Sequence, residues 1–188
     1  QTERQALYHL IALNPSNISL RDSLALVFYQ NGNYANTVLV ANEVLALDPD
    51  DLLALELRDF SYENLSLRQK ALADYETLYL KTDDIATLYK VAILQFTLGN
   101  TRQCMTNVQI LEKSPKTEGK TVGFGTTDGK QQDIPMKAAV FNLKGALHEQ
   151  LEETEVAHID LTNPSMPSIS VVNDDNTLPT QLPEAVAE

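Results

Sequence analysis

Few side chains in this sequence are spaced for chemistry. Glu118-Gly119-Lys120-Thr121 has the Gly-Lys ending of a loop that wraps phosphate with backbone N–H groups. Such a loop needs another glycine five residues earlier and a strand leading into it. Ser114 stands at that position and a helical pattern precedes it, so the segment reads as the leader of a hairpin. His148-Glu149-Gln150-Leu151-Glu152 sets a histidine and a glutamate one helical turn apart. Zinc-assisted hydrolysis needs a second histidine there to bring two rings to one metal. With Glu152 in its place the segment reads as a solvated helix end. His9, in an amphipathic helix, and His158, in an irregular segment, have only single carboxylates near them in sequence, and ordinary surface roles are expected. Cys104 is the sole cysteine. It falls where a helix wants a small packing residue, so a buried, inert thiol is expected. A lone cysteine also excludes an intrachain disulfide and a Cys-rich zinc site. No catalytic, cofactor-binding or metal-ligating set is assigned, and an enzyme is the least favoured reading, because no convergent polar set survives inspection.

The elements that would position any site are helical. Leu10-Ile11-Ala12-Leu13-Asn14-Pro15 is echoed by Val44-Leu45-Ala46-Leu47-Asp48-Pro49, with the prolines 34 residues apart. Further helix ends fall near Lys81-Thr82-Asp83-Asp84 and Lys113-Ser114-Pro115, and Gly32-Asn33 and Gly99-Asn100 repeat a turn signal. Between these marks apolar residues recur at three- and four-residue spacing, as on one helix face. Leu24, Leu26, Val27 and Phe28 precede Gly32, and Val38, Leu39, Ala41, Val44 and Leu45 follow it. Each unit is thus two helices joined by a short turn, and proline closes the second because it lacks the N–H to continue it.

Composition agrees. In 188 residues there are 14 Lys+Arg and 26 Asp+Glu, a net charge of −12, with 43% apolar residues and no Trp. Nucleic acid is a poor partner for so acidic a chain, because phosphate contacts need a cationic face. Anionic membrane surfaces are disfavoured for the same reason. No apolar run is long enough to span a bilayer. Eight of the acids and none of the basic residues fall in 152–188.

The 34-residue pattern resembles the tetratricopeptide repeat family, a helix–turn–helix unit that stacks into a superhelix. In 18–51, Leu24 and Ala25 match the family's large–small pair, Phe28 its aromatic position, Gly32 the turn and Pro49 the terminal proline, while Thr37, Ala41 and Val44 occupy its second-helix packing positions. In 52–84, Tyr62, Ala71 and Tyr75 match, whereas Arg58 and Asp59 depart from the large–small pair. In 85–115, Leu88, Val91, Ala92, Gly99, Cys104, Val108 and Leu111 fit. The resemblance implies an all-α superhelix with a half repeat over 1–17, three repeats at 18–51, 52–84 and 85–115, and a concave face lined by the first helix of each pair. By the family's register that face would carry Asp22, Leu26, Tyr29 and Gln30, then Glu56, Phe60, Glu63 and Asn64, then Tyr89, Ile93, Phe96 and Thr97. Phe141, Gly145, His148 and Glu149 would follow. Rings supply contact area and carboxylates pair with cations. The groove would therefore suit a protein or peptide segment with basic and apolar anchors. Family members that clamp chaperone tails carry Lys and Asn where this chain has Asp22 and Leu26, so that specificity is not expected.

The period breaks over 116–135. Thr121-Val122-Gly123-Phe124 and Gln131-Gln132-Asp133-Ile134 flank Asp128-Gly129, a strong turn signal, so a β-hairpin is expected. Its lysines Lys116, Lys120, Lys130 and Lys137 would form a slightly basic patch, offering either a second contact or plain solvated surface. A degenerate helix pair is expected over 136–163, with a short second helix from Glu153, and an acidic, Pro-containing tail over 164–188. The alternative to an open scaffold is a self-capped or self-assembling array, with the tail or a homodimer contact filling the groove. The layout also resembles exported repeat proteins of Gram-negative bacteria, and the start at Gln1 without Met fits removal of an upstream signal segment. A periplasmic or envelope location is expected on that resemblance, with the cytoplasm as the alternative.

Overall fold

The computed structural model describes residues 3–125 and 131–162. The chain divides into two units, 1–151 and 152–188. The first holds seven helices in sequence: α1 (Glu3–Leu13), α2 (Ile18–Gln30), α3 (Tyr34–Leu47), α4 (Leu52–Asn64), α5 (Arg68–Thr82), α6 (Ile85–Thr97) and α7 (Thr101–Lys113). A single 3-10 turn over Pro115–Thr117 leads into an antiparallel hairpin, β1 (Thr121–Gly125) and β2 (Gln131–Pro135), and then into α8 (Met136–Thr162). This is an all-α array with a small hairpin insertion. Within the second unit, only the end of α8 is described. The tail expected over 164–188, the Asp128-Gly129 turn and Lys130 lie outside the described residues.

Local sequence sets the helix boundaries. Asn17, Asp51 and Asp84 cap α2, α4 and α6, accepting from the N–H groups of Leu20 (3.2 Å), Ala54 (2.8 Å) and Thr87 (2.9 Å). Each Asx side chain satisfies a donor that the first helical turn leaves open. The turns inside the pairs need a left-handed residue. Gly32 (φ 69°) and Gly99 (φ 74°) supply it between α2 and α3 and between α6 and α7. Ser66 (φ 59°) fills the same place between α4 and α5. A side chain there is strained, because its Cβ crowds the backbone in that conformation.

The core lies between the two helices of each pair and between neighbouring pairs. Ala25 and Ala92 on first helices, and Thr37, Ala71 and Cys104 on second helices, are fully buried. Small residues at these points let the helix axes approach. Around them pack Leu24, Phe28 and Val40, then Tyr62, Leu72 and Tyr75, then Leu88, Val108 and Leu111. α8 extends the last cluster with Met136, Val140, Leu143 and Leu147. The helix pair expected over 136–163 is instead one helix. The reason is local: between Leu151 and Thr162 there is no Gly, Pro or Asn to turn the chain, and the first breaker is Asn163-Pro164. His158, expected in an irregular segment, therefore falls within α8.

The departure at Arg58 is absorbed by an ion pair. Its guanidinium donates two bonds of 2.7 Å to the buried Asp74 carboxylate and a third, also 2.7 Å, to Asn42 Oδ1. Its charged end also lies 6.0 Å from the Tyr62 ring centroid. Arg58→Ala strands a buried carboxylate and is expected to lower unfolding free energy by about 3 kcal/mol in urea titrations. Ser66→Gly is expected to raise it by about 0.5–1 kcal/mol by the same measurement, because glycine adopts the turn conformation without strain.

Candidate functional site

The first helices of successive pairs bring aromatic rings into a row. Tyr29 on α2 meets Tyr34 edge-on with centroids 5.8 Å apart, and Phe60 on α4 at 6.4 Å. Phe60 in turn meets Tyr75 on α5 edge-on at 6.1 Å. Beyond Phe60 a cleft of about 630 Å³ opens between α4, α5, α6 and β1. Phe60, Tyr89 and Ile93 give it apolar walls with Leu78 and Val122, and Glu56, Asp59, Asp84 and Lys90 bring charge to it.

Of the groove residues expected from sequence, Glu56, Phe60, Tyr89 and Ile93 share this cleft. Tyr29 joins it through the ring row. Glu63 stands at the edge of the cleft, where its Oε2 accepts from the Tyr75 hydroxyl (2.7 Å) and from Lys90 Nζ (3.4 Å). Leu26 and Gln30 are exposed on α2, away from the cleft. Asn64 is turned to its own helix, donating to the Phe60 carbonyl at 2.8 Å, and Thr97 does likewise to the Ile93 carbonyl. Phe96 packs against the Leu88–Leu111 cluster. Asp22 is half-buried with one carboxyl oxygen lacking a hydrogen-bond partner. Burial, helped by Asp51 and Asp48, pushes its pKa up to about 6.

Sequence reasoning left Asp59 out of the site. In the sequence it is only a departure from the repeat pattern, an acid where the equivalent residues are Ala25 and Ala92. It is the most buried residue of the cleft lining, 0% exposed; neither carboxyl oxygen has a donor in full hydrogen-bonding geometry, although the Tyr75 hydroxyl and the Phe60 N–H lie close. Burial pushes its pKa up to about 8, with Asp74, Glu63 and Glu56 reinforcing the shift and the nearby Phe60 N–H offsetting part of it. Burial, Asp59 and Glu63 likewise raise the Tyr75 hydroxyl far above its ordinary value, so it stays protonated. The positions of Asp59 and Tyr75 correspond to Ala25 and Ala41 in the preceding pair, so a small–small contact is here replaced by an acid beside a large phenol.

The hairpin also belongs to this site. Val122 packs on the core and Thr121–Gly123 forms one side of the cleft. Three of its lysines are used internally: Lys116 pairs with Asp83, Lys120 with Asp84 at 3.1 Å, and Lys137 with Glu118 at 2.6 Å. The basic patch expected there is therefore largely neutralised by neighbouring acids. Lys120 of the Gly-Lys motif is engaged with the cap of α6. His148 and Glu152 are exposed on α8. Among the described residues no group of three or more His, Cys, Asp or Glu is placed to hold a metal ion. Cys104 is buried with its thiol 3.3 Å from the Ala92 carbonyl, and burial pushes its pKa up to about 11. No helix among the described residues is long and apolar enough to cross a membrane.

Repeated helix pairs, capped by Asx residues and hinged on a left-handed turn, are the architecture of tetratricopeptide-repeat proteins, and comparison with solved structures shows that fold. A tetratricopeptide repeat protein from Parabacteroides merdae superposes with a TM-score of 0.52 at 22% identity, over 60% of this chain and 47% of its own. YrrB, described as a TPR protein with an unusual peptide-binding site, gives 0.51 at 12% identity, over 61% and 60%. MamA gives 0.55 at 10% identity, over 81% and 77%. The matched part is thus about half of the Parabacteroides protein and three-fifths of YrrB. No protein-family profile matches the chain, and no curated protein sequence does.

The raised Asp59 pKa has a stability consequence. The unfolded carboxyl releases its proton near 3.8, the folded one near 8. The group therefore favours folding below pH 4 and loses that contribution progressively as pH rises to about 8. Asp22 acts in the same direction over a narrower range, up to about pH 6. Asp59→Asn is expected to remove the Asp59 part of this slope, so that melting curves of variant and parent diverge as pH rises from 5 to 8. At pH 8 the variant is expected to be more stable by about 2 kcal/mol.

Proposed function

We propose that this chain is a non-catalytic scaffold that holds an extended or helical segment of a partner protein along α2, α4 and α6, with the cleft beside Phe60 as its main anchor point. The observation that carries this reading is the cleft itself. It joins a row of aromatic rings to unsatisfied acidic groups on one face of a repeat array. Rings of this kind bury large area at low entropic cost, and carboxylates select cations. The concave face is a common binding surface of helical solenoids, which supports the placement. YrrB, of the same fold, is described by its peptide-binding site. Acidic groups near the groove, among them Glu56, Asp59 and Asp22, favour a segment with basic residues between apolar anchors.

The test is selection of groove-binding peptides from a random phage-displayed library on the intact chain, followed by titration of synthetic peptides. Peptides are expected to emerge whose affinity falls at least about tenfold with Phe60→Ala or Tyr89→Ala, and several-fold with Tyr29→Ala, since buried aromatic anchors dominate such interfaces. Selected peptides indifferent to all three substitutions would overturn the assignment of this face.

A further inference from the structure

Asp59 is an anomaly that packing does not explain. The equivalent positions one repeat earlier and one later hold alanine, and both alanines are fully buried. An acid here costs stability, because a buried carboxyl has lost its hydration and the nearby Phe60 N–H returns only part of that loss. Its neighbours do not satisfy it. Arg58, adjacent in sequence, is turned to Asp74 and Asn42. Lys90, the one cation of the cleft lining among the described residues, is engaged by Glu63. The Tyr75 hydroxyl donates to Glu63. Lys120 is held by Asp84. Among the described residues the cations close to the cleft are thus committed elsewhere, while both Asp59 oxygens lack a hydrogen-bond partner and the exposed Glu56 lacks an ion-pair partner.

The walls above Asp59 suit one particular kind of side chain. Phe60, Tyr89, Ile93, Leu78 and Val122 would cover a run of methylenes. The Asp59 carboxyl lies covered at the inner end, so a charged head meets it by displacing the side chains over it. Long basic side chains have this construction, an aliphatic stem and a cationic tip. A neutral apolar anchor would fill the walls and leave the acid unpaired. An acidic anchor would meet the like charge of Glu56 at the cleft.

We infer that the cleft between α4, α6 and β1 is a specificity pocket for one lysine or arginine side chain of the bound segment, whose cationic head pairs with Asp59 while its stem lies between Phe60 and Tyr89. The inference rests on the groove reading above and deepens it by assigning the pocket residue and the chemistry it accepts. Binding is then linked to proton release. In the free protein burial holds the Asp59 proton up to about pH 8. The arriving cation favours the ionised form, so the proton leaves to solvent and a charge-assisted bond takes its place. Below pH 8 the affinity should rise up to about tenfold per pH unit, and level off above it. The other charged and titratable groups around Asp59 and its cleft are Glu56, Arg58 and Glu63 on α4, Asp74 and Tyr75 on α5, Asp84 at the start of α6, and Tyr89 and Lys90 on α6. Any pH effect of theirs is separated by substituting Asp59 alone.

The experiment uses the phage-selected peptides and three forms of the full chain: the parent, Asp59→Asn and Asp59→Ala. Asparagine keeps the shape, and alanine restores the residue of the neighbouring repeats, so both variants should fold, as circular dichroism melts will verify. Peptides that lose affinity with Phe60→Ala are expected to share a Lys or Arg at one fixed position. Replacing that residue by norleucine or citrulline should weaken binding to the parent by about tenfold or more, and leave binding to either Asp59 variant nearly unchanged, which is the signature of direct coupling. Affinity for the parent should climb from pH 6 to 8, and the climb should vanish for both variants and for the neutral peptide. Groove-dependent peptides without a fixed basic position would overturn the pocket assignment and leave the groove reading standing. So would a basic residue whose replacement costs the same on parent and variants. If no selected peptide depends on Phe60, Tyr89 or Tyr29, both readings fall.

Discussion

Everything in this array depends on how closely two helices of a pair can approach. Ala25, Thr37, Ala41, Ala92 and Cys104 are fully buried at the crossing points, where a larger side chain would push the axes apart. In the middle pair the rule is met unevenly. Ala71 keeps the second helix close, but Asp59 and Tyr75 stand where the preceding pair has two alanines. The extra volume is accommodated, and the cost is electrostatic. A carboxyl is enclosed without a donor in full hydrogen-bonding geometry, and a phenol is turned toward Glu63. Burying a polar group without compensation is among the larger single penalties available to a fold. Protonation relieves part of it, which is why burial drives the Asp59 pKa upward.

The same exchange shapes the surface above. Tyr75 extends the ring row from Tyr29 through Phe60, and Asp59 closes the inner end of the cleft. The hairpin completes it on the side of α6. Exposed ion pairs with Lys116 and Lys120 contribute little energy singly. Here they add to the packing of Val122 and to the bond from the Met136 N–H to the Lys120 carbonyl at 2.9 Å. Local sequence, pair packing and an inserted strand thus meet at one place, which none of them defines alone.

Much of the fold was legible because its signals are local. The closing prolines and the Gly32 and Gly99 turns each act within a few residues, and the hairpin strands follow from an Asp-Gly flanked by alternating residues. What was missed is non-local or exceptional. Ser66 does a glycine's work in the turn, so that turn carried no composition signal. Asp59 stood out as a mismatch, but its burial and lack of partners arise only when α4, α5 and α6 close around it. The lysines near the hairpin looked like a basic patch because Asp83 and Asp84, their partners, lie more than thirty residues earlier in the chain. The single helix α8 was readable in principle, since no breaker interrupts it before Asn163. Of the groove residues, Glu56, Phe60, Tyr89 and Ile93 share the cleft because each lies on the same face of a first helix. Phe96, two turns beyond Tyr89 toward the end of α6, lies past the cleft and only packs against the core cluster.

Asp84 carries two loads at once. Its carboxylate accepts from the Thr87 N–H at 2.9 Å, which starts α6, and from Lys120 at 3.1 Å, which fastens the hairpin. Force applied to the hairpin is therefore transmitted to the first turn of α6, on which Tyr89 stands. The inserted strand and the helix that carries the aromatic wall opposite it thus share one anchor, and a single substitution at Asp84 would loosen the start of both.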